Sequence, residues 1–179
     1  MVESPALRYS MREENFLIMD IEYIQISASH RCIRKLYMLG KDGCTEMMEE
    51  FYPCKRFNQL TEKYQSTFEW CRRNIHGLNY DPFRYCPNCN NVDEIVAHFI
   101  SKNGFKFVTF KGGNIERELC KRIGVPSFDI ECLVTKAKTH NPEKEVKYYY
   151  GQLLEAKYII PSRVSTFNKN KKDFTNLLF

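Results

Sequence analysis

The sequence predicts an α/β protein in which helices flank a mixed five-stranded sheet. The run 16–26 is almost entirely apolar and has the composition of a buried strand. Two further β-capable runs, 32–39 and 45–52, are separated by Asp42-Gly43, and such a turn predicts a hairpin. Beyond residue 56, helical periodicity alternates with short strand-like runs, which is typical of layered α/β folds.

The first three strands are expected to pair antiparallel in chain order, because short connections join them. A helix is predicted over 57–75, where apolar residues recur at helical spacing. The remaining elements follow in order: a loop over 77–91, a helix over 92–101, a strand over 105–110, a helix over 114–123, a strand over 127–130, a loop over 135–144 and a helix over 145–159.

A chain of 179 residues is long enough for one domain, which we assign to 15–160. Residues 1–14 are then an N-terminal extension, and 161–179 form a basic, Asn-rich tail. No apolar run approaches the roughly 18 residues of a membrane span, and 1–15 lack the apolar segment of a secretory signal. We therefore expect no membrane partner and an intracellular protein, cytoplasmic or nuclear.

Asp20 and Glu22 interrupt the apolar first strand with two carboxylates. Because side chains alternate between the two faces of a strand, residues two apart point the same way. Two like charges on one buried face repel each other and lose hydration unless a cation lies between them. Hard oxygen ligands suit Mg²⁺ or Mn²⁺, so the pair predicts a divalent metal site. The alternative is an edge strand on which both carboxylates face water.

The segment Lys111-Gly112-Gly113 lies between a predicted strand and a helix that begins at Asn114. Glycines allow a backbone to approach an anion closely, and amides at a helix N-terminus point toward it. With the net charge of +5, this predicts a binding site for a nucleic-acid phosphate, formed by Lys111, Gly112, Gly113 and Asn114. The alternative is a tight turn that needs glycine for its backbone angles.

Eight cysteines in a chain expected inside the cell are more typical of free thiols or metal ligands than of disulfides. Cys86 and Cys89 have the spacing of half a zinc site. Cys71, His76 and His98 are the nearest candidates to complete a structural Zn²⁺ site, and we assign Cys71 and His76 to it. The alternative is that none of the four binds metal and the cysteines are reduced thiols.

The order of these features resembles the DEDD exonucleases of the ribonuclease H-like superfamily over 15–160. Their first strand carries an Asp-x-Glu pair, which matches Asp20 and Glu22, and a Val/Ile-His-Gly-Ile segment follows their first helix, which matches 75–78. The resemblance implies a ribonuclease H-like three-layer fold. It also implies 3′-to-5′ hydrolysis of RNA or single-stranded DNA with two Mg²⁺ or Mn²⁺ ions.

The resemblance assigns the remaining site residues as well. Glu116, on the first turn of its helix, is the acid nearest the family's second aspartate, with Asn114 as the weaker candidate. The family's last motif places a His five residues before an Asp-Ala pair. Glu155 fits the acid of this motif, and Tyr150 stands where the His would be, positioned to orient the attacking water. The implied metal ligands are Asp20, Glu22 and Glu155, with Glu116 completing the acidic set.

Each of these assignments has a structural alternative. Glu116 could instead stabilise a helix N-terminus through its negative charge. Glu155 could be an exposed residue on a helix surface, and Tyr150 could be an aromatic residue of the core. In that case the chain is a catalytically inactive ribonuclease H-like domain that binds RNA or a protein, stabilised by zinc, or an unrelated α/β protein.

Overall fold

A computed structural model of the protein describes residues 14–81, 83–86, 91–130 and 141–155. Its strands are β1 (Phe16–Gln25), β2 (Arg31–Gly40), β3 (Glu46–Glu50), β4 (Phe107–Phe110) and β5 (Ser127–Asp129). Its helices are α1 (Glu62–Cys71), α2 (Val92–Asn103), α3 (Asn114–Arg122) and α4 (Pro142–Glu155). The predicted α/β class, a mixed five-stranded sheet flanked by helices, is confirmed. The predicted tail over 161–179 and all but the last residue of the predicted extension lie outside the described residues.

The strands lie side by side in the order β3-β2-β1-β4-β5. β1 pairs antiparallel with β2, and β2 pairs antiparallel with β3. β4 runs parallel to both β1 and β5. The pairing of β1 with β4 extends only to Ile18, which lies opposite Thr109, so the second half of β1 runs past the end of β4. This overhang of β1, residues 19–25, carries the acidic pair.

Side-chain alternation along β1 separates two hydrophobic cores. The odd-numbered residues from Leu17 to Ile21 pack in a core that includes residues of α2 and α3. Phe16 and Ile18 pack on the opposite face, in a core that includes the buried side of α4. The acidic pair of β1 continues this second face, because it occupies the next even-numbered positions. Within the described residues, no helix combines the length and apolar character that crossing a membrane requires.

The predicted helix over 57–75 is interrupted in the structure. Phe57–Gln59 forms a 3₁₀ turn, α1 begins after Thr61, and the chain continues past α1 as a π-helical segment, Arg72–His76. Gly77 ends this segment in the left-handed region, with φ of 62°, where glycine is favoured. The spacing of apolar residues predicts one helix over 57–75, because it does not distinguish α-helical from π-helical turns. The hydrogen bonds of these two kinds of turn differ in span by only one residue.

Helix α4 begins at Pro142, and the prediction of a loop up to 144 is wrong at this point. Asn141 caps the helix: its side-chain oxygen accepts a hydrogen bond from Lys144 N–H at 3.1 Å, and its carbonyl accepts one from Glu145 N–H at 2.8 Å. Proline suits the first helical position because its fixed φ is helical and its missing N–H would have no partner there. Glu145 therefore lies on the first turn of a helix that is already formed.

Candidate functional site

A cavity of about 510 Å³ lies beside the overhang of β1, where β4 ends. In α/β sheets, ligands commonly bind outside the carboxyl ends of parallel strands, which is this position. The predicted site residues that line the cavity are Asp20, Glu22, Cys71, His76, Lys111, Gly112, Gly113, Asn114 and Glu116.

Asp20 and Glu22 reach the cavity from one face of β1. Glu22 is buried, with 4% of its surface exposed, and Asp20 is half-buried. Burial of a carboxylate costs free energy because hydration is lost, so these side chains stand where a positive charge would stabilise them. The alternative, in which both carboxylates face water, does not hold for Glu22, because its side chain is buried.

Glu116 reaches the same cavity from the first turn of α3 and is 3% exposed. Its Oε1 accepts a hydrogen bond from Ile21 N–H at 3.0 Å, which ties α3 to the overhang of β1. Its Oε2 is buried and has no hydrogen-bond partner in the described part of the chain. Burial, with the negative charge of Asp20, raises the pKa of Glu116 to about 7. The charged form of Glu116 is therefore disfavoured unless a cation binds nearby.

The turn before α3 is fixed by contacts within the protein. The N–H of Gly112 donates to Asp129 Oδ1 at 2.6 Å, and Asp129 Oδ2 pairs with Arg117 at 2.9 Å. The Lys111 ammonium pairs with Glu145 Oε1 at 2.5 Å. Two of the groups predicted to contact a phosphate thus already have protein partners, although all four residues from 111 to 114 line the cavity.

Glu145 is an acid near the cavity that was not predicted as a site residue. It lies on the first turn of α4, and its carboxylate contacts Lys111 in the cavity wall. Two signals in the sequence point to it. Asn141-Pro142 is a helix start, and His140 stands five residues before Glu145, which is the spacing of the family's last motif. His140 itself lies outside the described residues.

Tyr150 and Glu155, the pair predicted on this helix, do not line the cavity. Tyr150 is 3% exposed, and its hydroxyl donates to the Lys41 carbonyl at 3.0 Å beside the β2–β3 turn. Burial, with the charge of Asp42, raises the pKa of Tyr150 to about 12. Glu155 is exposed at the end of α4, about 15 Å along the helix axis from Glu145. Tyr150 therefore has a packing position, and the acid of α4 at the cavity end is Glu145.

Cys71 and His76 also line the cavity. The N–H of Leu78 donates to His76 Nδ1 at 3.0 Å, which fixes the imidazole ring. Burial, with the positive charge of Arg34, lowers the pKa of His76 to about 4. His76 is therefore neutral at pH 7, and its Nδ1 is already used as an acceptor.

Cys86 does not line the cavity. Its N–H donates to the Pro53 carbonyl at 2.9 Å, in the segment that follows β3. Cys89, its partner in the predicted half site, lies outside the described residues. The predicted zinc set is thus divided: Cys71 and His76 line the cavity, and Cys86 contacts the segment after β3.

The carboxylate oxygens that line the cavity are donors of the kind that a hard divalent cation prefers. In the described residues, no three Asp, Glu, His or Cys side chains are close enough to share one ion as they are placed. The carboxylates are instead spread along the cavity lining, and the buried Oε2 of Glu116 could serve as a metal ligand. A cation among Asp20, Glu22 and Glu116 would satisfy that oxygen and offset the repulsion that raises the Glu116 pKa.

Comparisons of the chain with models of protein families and with curated proteins found no match. The site is therefore characterised by its own geometry. Three carboxylates from β1 and α3 line one cavity, and a fourth, that of Glu145, contacts a lysine of the same wall.

Proposed function

We propose that the chain is a metal-dependent nuclease of the 3′-to-5′ exonuclease type, acting on RNA or single-stranded DNA. The observation that carries this proposal is the placement of Asp20, Glu22 and Glu116 around one cavity at the end of a parallel strand. Three acids buried or half-buried together repel each other without a cation. Paired divalent ions held by such acids are a common means of phosphodiester hydrolysis.

The sheet supports a ribonuclease H-like fold of the DEDD exonuclease type. Three antiparallel strands begin with the strand that carries the Asp-x-Glu pair, and a helix–strand–turn–helix segment follows. Glu116 lies beside β1, where it accepts a hydrogen bond from Ile21 N–H, and the resemblance assigns the second acid to this helix. The strand pairing and the position of Glu116 are the two features that support the proposed family.

The proposed acidic set is Asp20, Glu22, Glu116 and Glu145, which would hold Mg²⁺ or Mn²⁺. Glu145 replaces Glu155 in this set because it lies at the cavity end of α4. Bound ions would lower the pKa of a water molecule and stabilise the leaving oxygen. His140, five residues before Glu145 in the sequence, would accept the proton of the attacking water.

The ion pair between Lys111 and Glu145 favours a second candidate function. An ammonium group here neutralises one acid of the proposed set without any metal. A catalytically inactive domain of the same fold, which binds RNA or a protein, would retain such a contact. Activity assays on matched variants separate the two candidates.

The test uses the full chain with 5′-labelled single-stranded RNA or DNA in Mg²⁺ or Mn²⁺. A 3′-to-5′ exonuclease produces a ladder that shortens from the 3′ end. Asp20→Asn and Glu145→Gln are each expected to lower the rate at least about 100-fold, since each removes a charged metal ligand. Glu155→Gln is the matched control on the same helix and is expected to retain the wild-type rate.

Circular dichroism of each variant separates loss of activity from loss of folding. Equal loss in Glu145→Gln and Glu155→Gln would contradict the assignment of Glu145. An inactive wild-type protein that still shifts labelled RNA in a gel would support the binding module. Equal degradation by wild type and Asp20→Asn would mean that a contaminating nuclease was measured.

A further inference from the structure

The acidic cavity is also lined by an aromatic and a cationic side chain, Tyr23 and Arg31. The Arg31 guanidinium lies over the Tyr23 ring, 5.5 Å from the ring centroid. Tyr23 directly follows Glu22 in β1, and Arg31 is the first residue of β2. The proposed hydrolysis gives neither side chain a role, although both lie in the cavity where it would occur.

The pairing of β1 with β2 holds these two side chains together. Tyr23 lies opposite Ile33. Arg31 lies opposite Gln25, two residues further along. Because residues two apart on a strand share a face, Tyr23 and Arg31 are diagonal neighbours on one face of the sheet. The register shifts between Glu22 and Tyr23, and such bulges commonly redirect side chains next to functional sites.

The Tyr23 ring offers apolar surface inside a polar cavity. Tyr23 is 37% exposed, and Ile75, which lines the same cavity, is 43% exposed. Single exposed apolar side chains are common on protein surfaces, but these two share one cavity with three acids. Aromatic side chains in such positions stack on the flat face of an unpaired nucleobase.

The Arg31 guanidinium can pair with an anion while it stays on the ring. Its contact with Tyr23 uses the face of the guanidinium, and its N–H groups lie in the plane and point sideways. The ion pair of Arg31 with the exposed Glu118 is 3.8 Å long. Lys111, another cation of the cavity lining, pairs with Glu145 at 2.5 Å. Arg31 can therefore exchange a long ion pair for a closer contact with a phosphate.

A stacking ring and a guanidinium together match the two parts of a nucleotide, a flat base and a phosphate anion. The acids of the same cavity repel a phosphate, so a cation beside them is needed to hold a strand there. In a duplex, a base is stacked between its neighbours and cannot offer its face to a side chain. The pair of Tyr23 and Arg31 thus favours a single strand over a duplex.

We propose that Tyr23 and Arg31 form a nucleotide subsite beside the acids. The Tyr23 ring stacks on an unpaired base, and the Arg31 guanidinium pairs with a phosphate of the same strand. The inference rests on the proposed function, because this subsite holds the strand that the acids would hydrolyse. It assigns the preference for single strands to two residues outside the acidic set.

The test is the fluorescence anisotropy of a labelled single-stranded DNA of about eight nucleotides, a common site size for such strands. Hydrolysis is prevented in two ways: by EDTA with the wild type, and by the Asp20→Asn background in Mg²⁺. Tyr23→Ala and Arg31→Ala are each expected to raise the dissociation constant about 5- to 100-fold in both conditions. Parent proteins that bind no single strand in either condition would overturn the subsite.

Salt dependence and conservative variants separate the two roles. Arg31→Ala is expected to lower the slope of log Kd against log salt by about 0.7, the value for one phosphate of a single strand. Tyr23→Ala should leave this slope unchanged, and Tyr23→Phe should keep the parent affinity because its ring still stacks. An unchanged slope in Arg31→Ala, or equal losses in Tyr23→Phe and Tyr23→Ala, would contradict the assigned contact.

The chain offers a matched control pair outside the cavity. Arg84 lies over the Tyr52 ring, 5.8 Å from its centroid, and neither residue lines the acidic cavity. Tyr52→Ala and Arg84→Ala are expected to bind the strand as the parent does, and losses equal to those at Tyr23 and Arg31 would overturn the proposal. Tyr23→Ala should not change the affinity for a blunt duplex, and an equal loss there would contradict stacking on an unpaired base.

The outcomes separate this subsite from the nuclease proposal. Hydrolysis that depends on Asp20, with Tyr23→Ala and Arg31→Ala binding as the parent does, would overturn the subsite and leave the nuclease. No hydrolysis in Mg²⁺ or Mn²⁺, with binding that depends on Tyr23 and Arg31, would overturn the nuclease and leave the subsite in a binding module. Both side chains are exposed, and circular dichroism checks that each variant keeps its fold.

Discussion

At the scale of single residues, the position of the Glu116 carboxylate depends on the absence of a side chain at Gly113. A Cβ atom built on Gly113 would overlap the Glu116 carboxylate, so the absence of a side chain at 113 makes room for the acid. The backbone at Gly113 has φ of −89° and ψ of 125°, which alanine also adopts without strain. The glycine is therefore required by space and not by its backbone angles.

Gly113→Ala is expected to displace the Glu116 carboxylate from Ile21 N–H and to destabilise the protein. The cost is about 1 to 3 kcal/mol, which is typical when a buried hydrogen-bonding group loses its partner. Urea unfolding of the two proteins measures the difference in free energy of unfolding. The control is a double-mutant cycle with Glu116→Ala, in which Gly113→Ala should cost close to nothing. An unchanged cost in that background would place the clash elsewhere.

Single-residue patterns predicted part of the site. Strand alternation placed Asp20 and Glu22 on one face, and both line the cavity. Glu116 was expected from a resemblance in spacing, and it lines the cavity too. The contact between Tyr23 and Arg31 depends on the register of two strands, which shifts beside Tyr23, so no local pattern could indicate it.

At the scale of elements, the start and direction of α4 determine which of its acids contacts the cavity-wall residue Lys111. A helix that began at 145 would have Glu145 as its first residue, where helices fray. This start made Glu155, further along the helix, the predicted site acid. The cap at Asn141 and the proline after it move the start back by one turn. The direction of α4 across the sheet, which sequence periodicity does not contain, then brings Glu145 to Lys111 and carries Glu155 away.

Asn141→Ala is expected to weaken this helix start, because the Lys144 N–H loses its side-chain acceptor. Loss of such a cap costs about 1 kcal/mol of stability. Urea unfolding measures the change, with Asn141→Asp as the matched control, since aspartate also accepts this hydrogen bond. Equal destabilisation by both substitutions would show that the amide nitrogen, and not the capping oxygen, is important.

At the scale of the whole molecule, the buried carboxyl of Glu116 links stability to pH. Its pKa is about 7 in the folded protein against an ordinary value of 4.5. The folded state then binds more protons than the unfolded state between these pH values, so this group's contribution to stability falls as pH rises from 4.5 to 7. The contribution of His76 to stability rises with pH over a similar pH range, because its pKa is lowered to about 4 in the folded protein.

Glu116→Gln separates the two effects, because His76 is common to wild type and variant and its contribution cancels in their difference. The stability of Glu116→Gln relative to wild type is expected to rise by up to roughly 3 kcal/mol between pH 4.5 and 7. Urea unfolding at several pH values without added divalent cations measures this difference. Added Mg²⁺ should reduce it by stabilising the charged wild-type carboxylate. A difference independent of pH would contradict the raised pKa.

The general architecture was predictable because it depends on local signals. A hairpin turn, alternating elements and an apolar first strand were sufficient for the α/β class and the five-stranded mixed sheet. The ends of the elements were less predictable. The π-helical segment Arg72–His76 and the early start of α4 depend on hydrogen bonds that periodicity does not reveal.

The hydrogen bond from Ile21 N–H to Glu116 has a consequence for the order of events during synthesis. It joins residues 95 apart in the chain, so β1 leaves the ribosome long before α3 exists. At about 5 to 20 residues per second, the gap is roughly 5 to 20 s. During this interval, Asp20 and Glu22 belong to a nascent hairpin without the helix that closes their cavity. Because contacts of such long sequence separation form late, the nascent chain has no assembled acidic centre until most of the domain is made.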